Sequence, residues 1–162
     1  MKTTSQLSII VPVFNEDQSL PVLQKELTIL LKKNLYHTEI IFVNDGSTDT
    51  TQKLLQQIAR KDKRVKIIEF SRNFGQTSAI SAGIDHAKGE ILVFLDSDLQ
   101  NDPQDIPRLL SQIAIGYDVV SGWRKVRFDN LFSKRIPSWL ANKLLAAFLG
   151  IPIHDFGCTL KA

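Results

Sequence analysis

Short apolar runs that alternate with stretches of helical spacing constrain this chain more than any other feature. The runs cover residues 7–14, 39–43, 65–70, 91–95 and 118–121. They are rich in Ile, Val, Leu and Phe and show little polar–apolar alternation, as parallel strands covered on both faces do. Between the first two, Leu20, Leu23, Leu27, Leu30 and Leu31 form one apolar helical stripe. Further helices are predicted over 50–60, with Asp49 as candidate N-cap, and over 76–87 and 105–115. Strand–helix alternation of this kind implies a layered α/β fold with right-handed crossovers. A length of 162 residues makes 1–162 one domain, large enough for an ordinary core.

In an open α/β sheet, ligands bind beyond the carboxyl ends of the strands. The polar clusters of this sequence fall at those ends: Asn15-Glu16 after the first, Asn44-Asp45-Gly46-Ser47-Thr48-Asp49 after the second, Ser71-Arg72-Asn73 after the third and Asp96-Ser97-Asp98 after the fourth. Any one of them is explained by turn chemistry, since Asn, Asp, Gly and Ser favour turns. Four delivered to one edge point to a site.

Asp96 and Asp98 are the sharpest pair. Carboxylates two residues apart on an extended segment point the same way, and close to a core they are costly unless a cation neutralises them. Oxygen-only ligands suit Mg²⁺ or Mn²⁺, which share substrate phosphates. The competing reading is a helix cap, because Asp102-Pro103 also begins a helix. Asp45 stands between two readings as well: an Asp-Gly turn, or a carboxylate accepting from the N–H of a nucleobase.

Composition narrows the partners. A formal net charge of +3 permits an anionic partner without requiring one. No nucleic-acid partner is expected, because the strand-end acids repel a phosphate backbone and basic and aromatic residues do not interleave. The run Arg60-Lys61-Asp62-Lys63-Arg64 reads as a solvated helix end whose cations complement the dipole. Cys158 is the single cysteine, so no internal disulfide forms, which fits a reducing compartment. The N-terminus lacks a signal-peptide pattern, and no run approaches the roughly 18 apolar residues of a membrane span. By itself the chain reads as soluble or peripheral. Around 122–137, Arg124, Lys125, Arg127, Lys134 and Arg135 form a basic loop, followed by a helix-like segment with Trp139 and Phe148. That segment is either interfacial or a plain packing helix.

Several of these segments together resemble a known family. Val11-Pro12-Val13-Phe14-Asn15-Glu16, Val43-Asn44-Asp45-Gly46-Ser47-Thr48-Asp49 and Asp96-Ser97-Asp98 are similar to family 2 glycosyltransferases of the GT-A fold. Arg72-Asn73-Phe74-Gly75-Gln76, Asp98-Leu99-Gln100, Ser121-Gly122-Trp123-Arg124 and His154-Asp155-Phe156-Gly157-Cys158 narrow the resemblance to the polyprenyl-phosphate branch. The resemblance implies a Rossmann-like, mostly parallel sheet with helices on both faces. It implies that Pro12, Phe14, Glu16 and Asp45 hold the base and ribose of a nucleotide-sugar. Asp96 would position the nucleotide, and Asp98 and Gln100, with Asp96 as a weaker candidate, would ligate Mg²⁺ or Mn²⁺. Arg124 would meet the acceptor phosphate, helped by a basic residue among Arg127, Lys134 and Arg135, with Ser138 a weaker candidate. Asp155 would sit near the reacting centre or be a structural loop carboxylate, and His154 and Cys158 read as structural.

The chemistry implied is inverting transfer of a hexose from a UDP- or GDP-sugar to undecaprenyl or dolichyl phosphate. A sugar hydroxyl would need a general base, whereas a phosphate monoester, with a second pKa of about 6, is already an oxyanion at neutral pH. By the same resemblance the chain works at the cytoplasmic face of a membrane, with self-association left open. Family members continue beyond the position of Ala162 into transmembrane helices, so the chain reads as C-terminally truncated. A family 2 enzyme with a polysaccharide or other soluble acceptor, or a non-catalytic nucleotide-sugar-binding fragment, are the alternative readings.

Overall fold

The computed structural model describes residues 6–33, 37–122 and 158–162. Four parallel strands form its sheet: β1 (Gln6–Val13), β2 (His37–Asn44), β3 (Val65–Glu69) and β4 (Ile91–Phe94), in the order β3-β2-β1-β4. The helices are α1 (Leu20–Lys33), α2 (Thr51–Lys61), α3 (Gln76–His86) and α4 (Ile106–Ala114), the last entered through a 3-10 turn at Pro103–Asp105. The chain runs outward from β1 to β3, and α3 then carries it back across β2 and β1 to place β4 on the other side of β1. The strand order therefore reverses between β1 and β4, the switch point at which sheets of this kind bind ligands.

Side chains of the central strands alternate between two cores. Leu7, Ile9, Val11 and Val13 of β1, with Ile40 and Phe42 of β2, pack with the leucine stripe of α1, Leu55 and Ile58 of α2, and Ile106, Leu109 and Leu110 of α4. Ile41 and Val43 face the other way, onto Ala79 of α3. Helices thus cover both faces, as expected. The α3 face is close-set: a Cβ on Gly83 would lie 2.4 Å from Cγ2 of Ile10, which is fully buried.

One expected strand does not form. Residues 118–121 make a single antiparallel bridge, Ser121 to Lys161, in place of a fifth strand. Their partner is the 158–162 segment. The Val120 N–H donates to the Ala162 carbonyl at 2.8 Å, and the Ala162 N–H returns to Val120 at 2.9 Å. Lys161 also bridges Phe94, so this segment lies between β4 and 118–122. An apolar run shows that a stretch is extended but not the direction of its partner. Among the described residues, no helix is long and apolar enough to cross a membrane.

Candidate functional site

The loops after β1 and β2 are laced together. The Asn15 N–H donates to Ser47 Oγ at 3.0 Å, the Thr48 N–H to Asn15 Oδ1 at 2.8 Å, and the Glu16 N–H to Thr51 Oγ1 at 2.9 Å. Asn15 closes its turn with φ 54°, a left-handed conformation that Asn tolerates. Asp49 performs the expected capping from one position further out: Thr50 is the N-cap residue of α2, while Asp49 Oδ1 accepts the Thr51 N–H at 2.9 Å. Burial pushes the Asp49 carboxyl up, but the hydrogen bonds from Thr51 and Asp17 outweigh it and hold it below its usual range.

Asp45 reaches the next loop. It is buried at 3% exposure, with Oδ1 accepting the Phe74 N–H at 2.7 Å and Oδ2 the Gly75 N–H at 2.9 Å. Gly46 allows this approach: its φ is +70°, and a Cβ there would lie 2.3 Å from the Arg72 carbonyl carbon. Beyond the clasp, the Arg72 guanidinium sits 4.9 Å above the Phe74 ring, and Phe74 meets Phe70 edge-on at 5.6 Å.

The fourth loop holds the acidic pair. Ser97 Oγ donates to the Pro12 carbonyl at 3.1 Å, which ties the ends of β1 and β4 together at the switch point. Asp98 Oδ1 accepts the Gln100 N–H at 3.0 Å, and between them Leu99 adopts φ 63°, a strained value for a large side chain. Asp96 is half-buried and Asp98 exposed, so burial alone does not demand a counter-cation at Asp98, contrary to the desolvation argument from sequence. The helix cap is Asp102, which accepts the Gln104 N–H at 2.8 Å. Asp96 and Asp98 are therefore not needed for capping.

These loops enclose a cleft of about 330 Å³ lined by Pro12, Val13, Phe14, Glu16, Asp45, Asn73, Gly75, Gln76, Asp96, Ser97 and Asp98. Its size suits a small-molecule site. Six expected residues meet there: Pro12, Phe14, Glu16, Asp45, Asp96 and Asp98. Pro12 is buried, Phe14 stands 43% exposed, and the Glu16 carboxylate accepts from the Ser19 hydroxyl. Gln100 is exposed beside the Asp98 turn and is not among the lining residues. Arg124, Arg127, Lys134, Arg135, Ser138, His154 and Asp155, and the segment with Trp139 and Phe148, lie outside the described residues. Cys158 is buried at 1% exposure and donates to Asn101 Oδ1 at 3.5 Å, in keeping with a structural role.

The sequence places Asn73 and Ser97 in polar clusters at this edge without giving them a role, and Gly75 and Gln76 enter only through the family-like segment Arg72-Asn73-Phe74-Gly75-Gln76. Asp96 and Asp98 form an oxygen-only donor pair, and among the described residues no group of three or more His, Cys, Asp or Glu could hold a metal ion. Such a pair fits a divalent cation shared with substrate phosphates, which needs only one or two protein carboxylates.

Comparison with known proteins identifies the family and the fold. The family model described as "Glycosyl transferase family 2" matches residues 8–162. The dodecaprenyl-phosphate galacturonate synthase of Rhizobium johnstonii is 44% identical over 158 residues, 96% of this chain and 47% of that protein. The undecaprenyl-phosphate 4-deoxy-4-formamido-L-arabinose transferase of Pseudomonas fluorescens is 43% identical over 96% of this chain and 46% of its own length. The chain thus spans about half the length of these curated relatives. Among solved structures, glucosyl-3-phosphoglycerate synthase from Mycobacterium tuberculosis, in complex with Mn²⁺, UDP-glucose and phosphoglyceric acid, superposes with a TM-score of 0.75 at 21% identity. That match covers 99% of this chain and 57% of the other, and it shows a shared GT-A fold.

Proposed function

The chain belongs to glycosyl transferase family 2, and from that premise we propose that it takes part in inverting transfer of a sugar from a UDP- or GDP-sugar to a polyprenyl phosphate at a membrane surface. The observation that carries the donor half is the convergence of Asp45, Asp96 and Asp98 on one cleft at the β1/β4 switch point. The acceptor half is supported by relatives above 40% identity whose names specify dodecaprenyl or undecaprenyl phosphate.

In this reading the base and ribose lie against Pro12, Phe14, Glu16 and Asp45, and Asp45 also holds the Phe74–Gly75 backbone that forms the wall beside them. Asp96 orients the nucleotide, and Asp98, with Gln100, holds a divalent cation, Mg²⁺ or Mn²⁺. A bound cation would stabilise the negative charge that develops on the departing diphosphate. A lipid phosphate needs no general base, so the residues assigned to it, Arg124 with Arg127, Arg135 and Ser138, have only to clamp an existing oxyanion. Asp155 orients groups at the reacting centre.

The test is thermal melting of the chain with UDP- and GDP-sugars, with and without Mn²⁺, followed by turnover with undecaprenyl phosphate. A ligand present at 100 times its Kd stabilises by about 2.7 kcal/mol, an easily read shift. The expected result is metal-dependent stabilisation and lipid-phosphate-dependent release of the nucleoside diphosphate. Stabilisation without release, even with lipid supplied, would identify a binding module. Release with a soluble saccharide acceptor alone would identify the other acceptor class. If Arg124→Ala weakened donor and acceptor equally, its acceptor role would be wrong.

A further inference from the structure

Gln76 opens α3 and stands between two cavities. It lines the 330 Å³ cleft and also a neighbouring cavity of about 400 Å³, bounded by Thr77, Ile80, Phe94, Cys158, Thr159 and Lys161. From that wall its Nε2 donates to Asp96 Oδ1 at 2.7 Å, across 20 residues of sequence. Gln76 is exposed, so ordering its side chain costs rotamer entropy that one exposed hydrogen bond does little more than offset, and stability gives little reason for it. Nor does the start of α3 depend on this contact, because Asp45 already clasps the Phe74 and Gly75 N–H groups just before it. That clasp instead fixes where Gln76 begins. A chain of contacts therefore runs from the end of β2, through the loop after β3, to the acid at the end of β4.

We propose that Gln76 is a positioning residue for donor binding. By holding Oδ1 of Asp96 it presents that carboxylate to the nucleotide in one orientation, and it acts only through Asp96. The inference rests on the reading of Asp96 as a donor-orienting group. A glutamine amide suits the task because its N–H donates to a carboxylate at any pH.

Calorimetric titration of UDP and of GDP in the presence of Mn²⁺, with the wild type, Gln76→Ala, Asp96→Ala and the double variant, tests this. The wild type is expected to bind one of the two nucleotides. Gln76→Ala should weaken that affinity about tenfold, the worth of one charge-assisted hydrogen bond, while the melting temperature without ligand stays unchanged. Because Gln76 acts only through Asp96, removing it from the Asp96→Ala variant should cost no further affinity. A purely structural role would lower affinity by the same factor in both backgrounds. Equal affinity of wild type and Gln76→Ala, or a full tenfold loss in the Asp96→Ala background, overturns this inference and leaves the donor reading standing. A wild type that binds neither nucleotide overturns the donor reading, and the inference with it.

Discussion

Asp45 and Asp98 are both strand-end carboxylates, yet their surroundings give them different work. Asp45 is buried and uses one oxygen for each of two backbone N–H groups. An amide cannot copy this: in Asp45→Asn the side-chain NH₂ must face one of those N–H groups. The expected cost is about 2 kcal/mol, with faster amide exchange at Phe74 and Gly75 as the local readout. Asp98 is exposed, and its Oδ1 accepts the Gln100 N–H in a tight turn. Asp98→Asn keeps that turn, because an amide oxygen also accepts a hydrogen bond. Its melting temperature should therefore match the wild type within about 1 °C. Metal-dependent nucleotide binding should fall by at least tenfold, and unchanged Mn²⁺ dependence would refute the metal assignment.

Elements set these residues in place through close backbone approaches. Gly46 is the tightest: φ +70° and a would-be Cβ at 2.3 Å from the Arg72 carbonyl carbon leave no room for a side chain, since the obstacle is backbone. Gly46→Ala is expected to cost roughly 3 kcal/mol, strain and overlap combined, and to open the Asp45 clasp. A melting curve with exchange at Phe74 measures both effects. Asp45-Gly46 also shows what was legible in the sequence. The dipeptide announced a turn, and the apolar runs announced β1 to β4 to within a residue or two, because both signals are local. The contact of Gly46 with Arg72 is 26 residues away and leaves no local trace, so the polar cluster after β3 points to the site edge but not to its packing against the Asp45 turn. The same reason explains residues 118–121: they are extended, but their partner at 160–162 has no mark in their own sequence. Gln76 was missed because a glutamine at a helix start is ordinary until Asp96 is seen beside it.

At the scale of the whole molecule, the sheet edge opposite the cleft is held by one buried carboxylate. Glu39 of β2 accepts from Ser8 Oγ of β1 at 2.6 Å and from the Lys88 N–H before β4 at 2.6 Å, and it pairs with the Lys66 ammonium of β3. The Gly89 N–H adds a bond to Ser8 Oγ at 2.8 Å, so this network reaches all four strands or the turns that lead into them. Burial pushes the Glu39 carboxyl up, but the hydrogen bonds from Lys66, Ser8 and Lys88 prevail and hold it below the usual carboxylate range. A folded-state pKa below the unfolded one gives stability that is fully present above the unfolded value, about 4.3, and is lost as the pH falls through the folded value. Glu39→Gln removes the charge and keeps the shape. At pH 7 it should lower stability by about 2 kcal/mol, a melting shift of roughly 4–8 °C for a chain of this size. Lys66 is partly exposed and can be solvated, so the loss should not reach that of a stranded buried charge. Melting curves of both proteins from pH 7 down to pH 3 provide the check. The gap should stay constant to about pH 5 and narrow below it as Glu39 in the wild type takes up its proton. A gap that persists undiminished at pH 3 would mean that packing, and not the carboxylate's charge, joins the strands at this edge.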